Sequence, residues 1–281
     1  MSAARDQSPL FRFPDADVVL LSGGSDAPTE FHVHRRVLSL ASPFFRDMFS
    51  LPQDPSKPND IPRIPVAEPA PVLGKLLQLV YPMADPVLTS LEELKDVLGV
   101  AVKYDFEGAV STLRAWLITP QFLHSAPVRV YAIACRYELE DEAKVASRYT
   151  LGVNLLDVPL SDELKWISAY HYHQLLVLHK RRAQAALGYL KDVKGDLKCM
   201  QCNGSNFHLQ LPTPPKWWTE YEARAREELS VRPTTDVIFR LDFLYKAAAK
   251  GGCPRCPGSV LESWKFLMDL KNAIDDLPST I

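Results

Sequence analysis

Apolar residues recur along the chain with two periods, one short and strand-like near the start, the other helical over most of the remainder. Asp17-Val18-Val19-Leu20-Leu21 is a short run with β-branched members, Ser22-Gly23-Gly24-Ser25-Asp26-Ala27-Pro28 is rich in turn formers, and Phe31-His32-Val33 is a second short run. Two such runs around a turn-rich segment predict a hairpin with a long loop. A two-turn helix is expected over His34-Arg35-Arg36-Val37-Leu38-Ser39-Leu40-Ala41. Ser42-Pro43 then supplies an N-cap and a proline for a first helical position, and Phe44, Phe45, Met48 and Phe49 fall on one greasy helical face. Seven prolines between Leu51 and Pro71 predict an extended loop, with Ile64-Pro65-Val66 as an edge strand, because proline cannot donate to a ladder.

Val72, Leu73, Leu76, Leu77 and Val80 form the next helical stripe, which Pro82 ends. Ser90 and Glu93 have capping-box spacing and open a helix whose apolar face is Leu94, Val97, Leu98 and Ala101. Further helices are expected over residues 107–117, 127–137, 138–151, 161–178, 180–190, 216–229, 235–249 and 259–277. Ser161 is read as the N-cap of its helix, with Asp162 and Glu163 in the first turn, where the helix dipole favours them. Residues 1–14 read as a flexible polar tail, and the chain changes character near Lys191.

Composition narrows the class. With 281 residues, 47% hydrophobic and 23% charged, the chain can build real cores and two compact units are expected. A formal net charge of −2 argues against a whole-chain polyanion binder, so nucleic acid is not an expected partner. The densest apolar knot, Leu175-Leu176-Val177-Leu178, is bounded by His173 and by His179-Lys180-Arg181-Arg182, so no membrane partner is expected. The first residues lack the apolar core of a signal peptide, and an intracellular setting, cytoplasm or nucleus, is expected, where five cysteines serve as thiols or metal ligands.

The first half carries a family resemblance. Asp17-Val18-Val19-Leu20, Phe31-His32-Val33-His34-Arg35-Arg36-Val37-Leu38 and Ser42-Pro43-Phe44-Phe45-Arg46-Asp47-Met48-Phe49 together resemble the signature of the BTB/POZ domain, which would span residues 15–119. Val128-Arg129-Val130-Tyr131-Ala132-Ile133-Ala134-Cys135 and Glu138-Leu139-Glu140-Asp141-Glu142-Ala143-Lys144 resemble the helical extension of many fungal BTB proteins. The resemblance implies a docking module that homodimerises through its N-terminal element and first helix. It places Asp17 and Arg35 at positions that help transcriptional members bind co-repressor peptides, and it includes Met48 and Phe49 in the partner-binding set. Cullin-ligase adaptors carry a hydrophobic residue, a spacer and a glutamate after the Met-Phe helix. This chain has Leu51-Pro52-Gln53 there, and a neutral Gln53 forgoes the charge-assisted contact.

A second constellation is two C-x-x-C pairs, Cys199-Met200-Gln201-Cys202 and Cys253-Pro254-Arg255-Cys256, each followed by x-Gly at Gly204 and Gly258. Two intervening residues let both thiolates of a pair reach one ion from a tight knuckle, and the glycine lets the backbone fold beneath it. Four thiolates fill the tetrahedron of Zn²⁺ and leave no position for water, so the expected ion is structural. The 50 residues between the pairs argue against a DNA-reading finger and imply a metal that clasps a helical insert. Two readings stay open beside it: thiol pairs without metal, and a redox centre. His208 is an alternative ligand and Cys135 a lone core thiol.

His171, His173 and His179 read as helix-surface residues, and His179-Lys180-Arg181-Arg182 as a solvated basic face or helix end, with nuclear import or partner contact as the alternative. Trp217-Trp218 with Tyr221 opens a helix, packed on its neighbours, with an exposed partner anchor as the alternative. The chain has no P-loop, dinucleotide fingerprint, nucleophile elbow or H-E-x-x-H, and no enzyme is expected.

The sequence therefore predicts an α+β protein. A BTB/POZ fold, a small sheet flanked by helices, covers 15–119. An all-α extension follows over 120–190, then a helical unit over 191–281 with a four-cysteine zinc clasp. The expected function is protein–protein interaction, by BTB homodimerisation and docking of a protein client. The alternatives are a substrate adaptor of a cullin-type ubiquitin ligase and a nuclear transcriptional regulator that recruits co-repressors.

Overall fold

The computed structural model describes residues 7–24, 27–51, 61–191, 197–202, 204–205 and 212–281. Chain contacts divide it into two compact units, one of residues 1–125 with 137–142, the other of residues 126–136 with 143–281. Residues 120–190 and 191–281, separate in the sequence reading, thus fall mostly in one unit.

The first unit holds a four-stranded sheet. Its strands are β1 (Gln7–Arg12), β2 (Val18–Gly23), β3 (Glu30–Val33) and β4 (Arg63–Pro69), in the spatial order β1-β3-β2-β4. β2 runs antiparallel to β3, with Val18 opposite Val33 and Leu20 opposite Phe31, and parallel to β4, with Leu20 opposite Ile64. The unbroken Val18-Val19-Leu20 run is buried throughout because β2 is central and covered on both faces. β4, with its prolines, takes the edge. At Gly23 the backbones of β2 and β4 come so close that a Cβ would lie 2.5 Å from the Ala67 carbonyl oxygen.

The flexible tail expected over residues 1–14 does not hold for Gln7–Arg12, which forms β1 parallel to β3. The reason is Phe11, fully buried against Phe31 and Tyr81, with ring centroids 5.9 and 5.6 Å away.

Helices α1 (Arg35–Ala41), α2 (Pro43–Ser50), α3 (Ala70–Val80), α4 (Leu91–Lys103), α5 (Glu107–Leu117) and α6 (Pro120–Ser125) complete this unit. Ser42 caps α2 by accepting the Phe45 amide at 3.0 Å, and Pro43 stands at its first position. Ser90 accepts the Glu93 amide at 3.2 Å at the head of α4, but the Glu93 carboxylate returns to the Thr89 amide at 2.9 Å, one residue earlier than a capping box requires.

The second unit is helical: α7 (Pro127–Arg136), α8 (Glu140–Thr150, whose first residues count with the first unit), a 3₁₀ turn Asp162–Lys165 and the long α9 (Ala169–Lys191). A two-residue hairpin pair, β5 (Gly204–Ser205) and β6 (Pro212–Thr213), follows, then α10 (Lys216–Val231), α11 (Leu241–Lys250), α12 (Cys256–Glu262) and α13 (Trp264–Asp275).

Four helix expectations change here. The helix expected over 235–249 begins only at Leu241, and the Thr235 hydroxyl instead donates to the Asp275 carboxylate of α13 at 2.6 Å. Ser161 caps no long helix. The Glu163 carboxylate turns inward onto the Arg129 guanidinium at 2.9 and 3.0 Å, which ties the 3₁₀ turn to α7. The helices expected over 161–178 and 180–190 are replaced by that turn and an uninterrupted α9. The helix expected over 259–277 begins earlier, at Cys256, and breaks at Ser263.

Candidate metal centre and docking face

The four sulfurs of Cys199, Cys202, Cys253 and Cys256 all lie within 4.8 Å of one another. Cys199 and Cys253 stand 3.8 Å apart, Cys199 and Cys256 3.8 Å, and Cys202 and Cys256 3.4 Å. A tetrahedron with Zn–S bonds of about 2.3 Å has edges of roughly 3.8 Å, so these separations suit one ion between four thiolates. Disulfide sulfurs would be about 2.05 Å apart. Cys199, Cys253 and Cys256 are buried and Cys202 is half-buried.

Backbone amides surround the sulfurs. The Lys216 N–H, at the start of α10, donates to Cys202 at 3.4 Å, and the Trp217 N–H reaches Cys256. The Gln201 and Cys202 amides of the first knuckle point at Cys199, and the Ser259 hydroxyl joins them. Cys256 is itself the first residue of α12. Two helix N-termini thus direct positive dipole ends at the cluster, which favours thiolate over thiol. Burial opposes ionisation of Cys199, but these donors outweigh it and bring the thiol down to about 6. Burial and the neighbouring sulfurs push Cys202 and Cys256 up, as expected of four thiols that can ionise together only around a cation.

The knuckles are rooted in an aromatic core. Trp217 and Trp218 are both buried, in edge-to-face contact with centroids 5.8 Å apart, and Tyr221 packs on both rings. The Trp217 indole N–H donates to the Lys198 carbonyl at 3.3 Å, one residue before Cys199. An exposed anchor at this tryptophan pair is therefore excluded. Gly258 also differs from expectation: it lies inside α12, and the left-handed turn glycine of the second knuckle is Gly252, before Cys253, at φ +72°. The amides of Lys216 and Trp217 and the Ser259 hydroxyl were not read from the sequence; Pro214-Pro215 before a helix start was the available signal for the first two. His208 and Gln53 lie outside the described residues. Cys135 is buried in α7, and burial, partly offset by a hydrogen bond from Tyr131, raises its thiol to about 11.

The histidines hold no metal geometry among the described residues. His171 Nδ1 is 3.0 Å from the Ser168 hydroxyl, and His179 Nε2 is 3.1 Å from that of Thr150. Burial lowers His179 to about 4, so it is neutral at pH 7. The basic run 179–182 is thus not one solvated face. Arg182 is buried, and it donates to the backbone carbonyls of Pro233, Ile274, Leu277 and Pro278 around the end of α13.

In the first unit, Asp17, Arg35 and Phe49 form one connected cluster. The Asp17 carboxylate accepts the Arg35 backbone N–H at 2.6 Å at the start of α1. The Arg35 guanidinium lies over the Phe49 ring at 4.9 Å and donates to the Phe49 carbonyl at 3.0 Å, at the end of α2. Asp17 is exposed, while Arg35, Met48 and Phe49 are half-buried. The adjoining His34 is held by Asp15 at 3.2 Å and by a backbone N–H bond to the Tyr81 hydroxyl at 2.8 Å.

A small mixed sheet flanked by helices, with exposed apolar and charged groups on its first helices, defines an α+β domain. Residues 12–120 match the family model of the BTB/POZ domain, so the chain carries a BTB/POZ domain, a protein–protein interaction module. No curated protein matches the chain significantly. No helix among the described residues is long and apolar enough to cross a membrane.

Proposed function

We propose that the chain is a docking protein that pairs with a second copy through its BTB/POZ domain and offers a client surface on a zinc-clasped helical unit. Pairing rests on two exposed leucines, Leu10 on β1 at 55% and Leu40 on α1 at 80%. Both stand on the elements that the family uses to dimerise. Burying a leucine is worth about 1.5–3 kcal/mol, and a two-fold pair gains that from each copy. Native mass spectrometry of the full chain, purified without chelator, reads subunit number and metal together. A dimer with two zinc ions, turned monomeric by Leu10→Asp with Leu40→Asp at unchanged circular dichroism, supports the reading. A monomer of the unaltered chain overturns the pairing, and a metal-free chain overturns the clasp.

Zinc on Cys199, Cys202, Cys253 and Cys256 is structural in this reading: the four thiolates saturate it, and it fastens the start of α12 to the first knuckle. A second reading, recruitment of co-repressor peptides, is favoured by the Asp17–Arg35–Phe49 cluster. There the exposed Asp17 carboxylate and the edge of Arg35, with Met48 of α2, would receive a peptide. Loss of peptide binding in Asp17→Asn, with the dimer intact, is its test.

A further inference from the structure

A groove of about 450 Å³ lies in the second unit between α9 and residues 277–281. That volume is within the roughly 300–1,000 Å³ of small-molecule sites. Its apolar floor includes Val177, Leu178 and Leu277. Its charged or titratable side chains are His173, Arg181 and Arg182, no described lining side chain is acidic, and Ile281, the last residue of the sequence, contributes to the lining. His173, Val177 and Arg181 follow one another at every fourth residue of α9, so they form one ridge along the groove.

Arg182 makes the charge unusual. It is only 6% exposed, and among the described residues its hydrogen bonds go to four backbone carbonyls and to no carboxylate. Four of the five guanidinium N–H groups are used in this way, which leaves one on Nη2. The Asp275 carboxylate, itself bonded by Thr235 and Lys271, favours the charge, and the neighbouring Arg148 opposes it. A buried cation without a directly bonded counter-ion is costly, and burial accordingly disfavours the charged form of Arg182. Arg181 is exposed beside it, so the groove combines an apolar wall with two adjacent fixed cations.

From this pairing we infer that the groove binds an amphiphile with an aliphatic body and a carboxylate head, the body along Val177 and Leu178 and the head at Arg181 and Arg182. An anion there would supply the direct counter-ion, and the aliphatic body would cover the apolar wall. This site uses none of the four cysteines and none of the residues proposed for BTB pairing.

Calorimetric titration of the full chain with sodium dodecanoate below its micellar concentration tests it, beside dodecyltrimethylammonium, which carries the same alkyl chain on a cationic head. The expected result is one saturable dodecanoate site per chain and none for the cation. Arg181→Glu, at an exposed position, weakens dodecanoate tenfold or more with an unchanged thermal melt, and Val177→Asp does the same from the apolar wall. No saturable dodecanoate binding, equal binding of both amphiphiles, or full affinity in Arg181→Glu overturns the site. The comparison of the two amphiphiles on the unaltered chain decides the matter even where a variant fails to fold.

Discussion

The sulfurs of Cys202 and Cys256, 54 positions apart in the chain, lie 3.4 Å from each other. Between them in sequence run a hairpin and two helices, α10 and α11, so one contact closes a long helical excursion. Loop closure of this length is costly for a chain, and a bridging ion would fix it much as a crosslink does.

Removing the clasp should therefore unfold what it closes. Zinc contributes on the order of 10–16 kcal/mol in zinc-finger peptides, against a domain stability of about 5–15 kcal/mol. The double substitution Cys199→Ser with Cys256→Ser is expected to abolish zinc binding and the cooperative melt of the second unit. Tryptophan emission reads this directly, because Trp217 and Trp218 are buried beside the knuckles. An unchanged melt and emission spectrum in the double variant would reject the clasp.

In the first unit, Ser42 holds two hydrogen bonds from a fully buried position. Its hydroxyl donates to the Tyr104 carbonyl at 2.6 Å and accepts the Phe45 amide at 3.0 Å, and the side chain is fully buried. Ser42→Ala removes a cap and strands a buried carbonyl, so a loss of about 2 kcal/mol is expected in urea unfolding. A change under about 0.5 kcal/mol, within the range of a neutral surface substitution, would mean that water replaces the hydroxyl.

Glu163 gives the second unit an acid-sensitive tie. The Arg129 guanidinium beside its carboxylate holds it at about 2, below the ordinary carboxylate value. A depressed folded-state value contributes stability that is fully present above about pH 4.5 and is lost as the pH falls toward 2. Glu163→Gln should cost about 2 kcal/mol at pH 7 and little at pH 2. Equal destabilisation at both pH values would show that shape, not charge, holds the 3₁₀ turn.

Tyr221 offers a gain. Its ring is fully buried among Trp218, Phe239 and Phe243, and its hydroxyl has no hydrogen-bond partner among the described residues. Burial raises the phenol steeply, so the group stays neutral. Tyr221→Phe removes an unsatisfied polar atom without a cavity and should stabilise by up to about 1 kcal/mol. A lower melting temperature in differential scanning calorimetry would point to a buried water on the hydroxyl.

Local signals carried much of this protein. The Val18-Val19-Leu20 run, the Ser42-Pro43 helix start and the Ser90–Glu93 cap each act within a few residues, where backbone sterics and one hydrogen bond decide the outcome. The two C-x-x-C pairs marked four candidate ligands because knuckle chemistry constrains spacing locally. Non-local facts escaped. Phe11 orders β1 because it meets Phe31 and Tyr81, and Glu163 leaves a helix pattern because Arg129 lies on another helix.

What the sequence determined by itself is therefore the BTB/POZ signature, the helical periodicity and the four cysteines, all properties of short segments. Tertiary structure alone decided that the sulfurs converge, that Arg182 is buried in carbonyls while Arg181 beside it is exposed, and that both tryptophans of the 217–218 pair are core. Those outcomes depend on which distant surface a side chain meets. The free energy of burying a charge or a ring is set by the partner that satisfies it, and a one-dimensional pattern does not specify that partner.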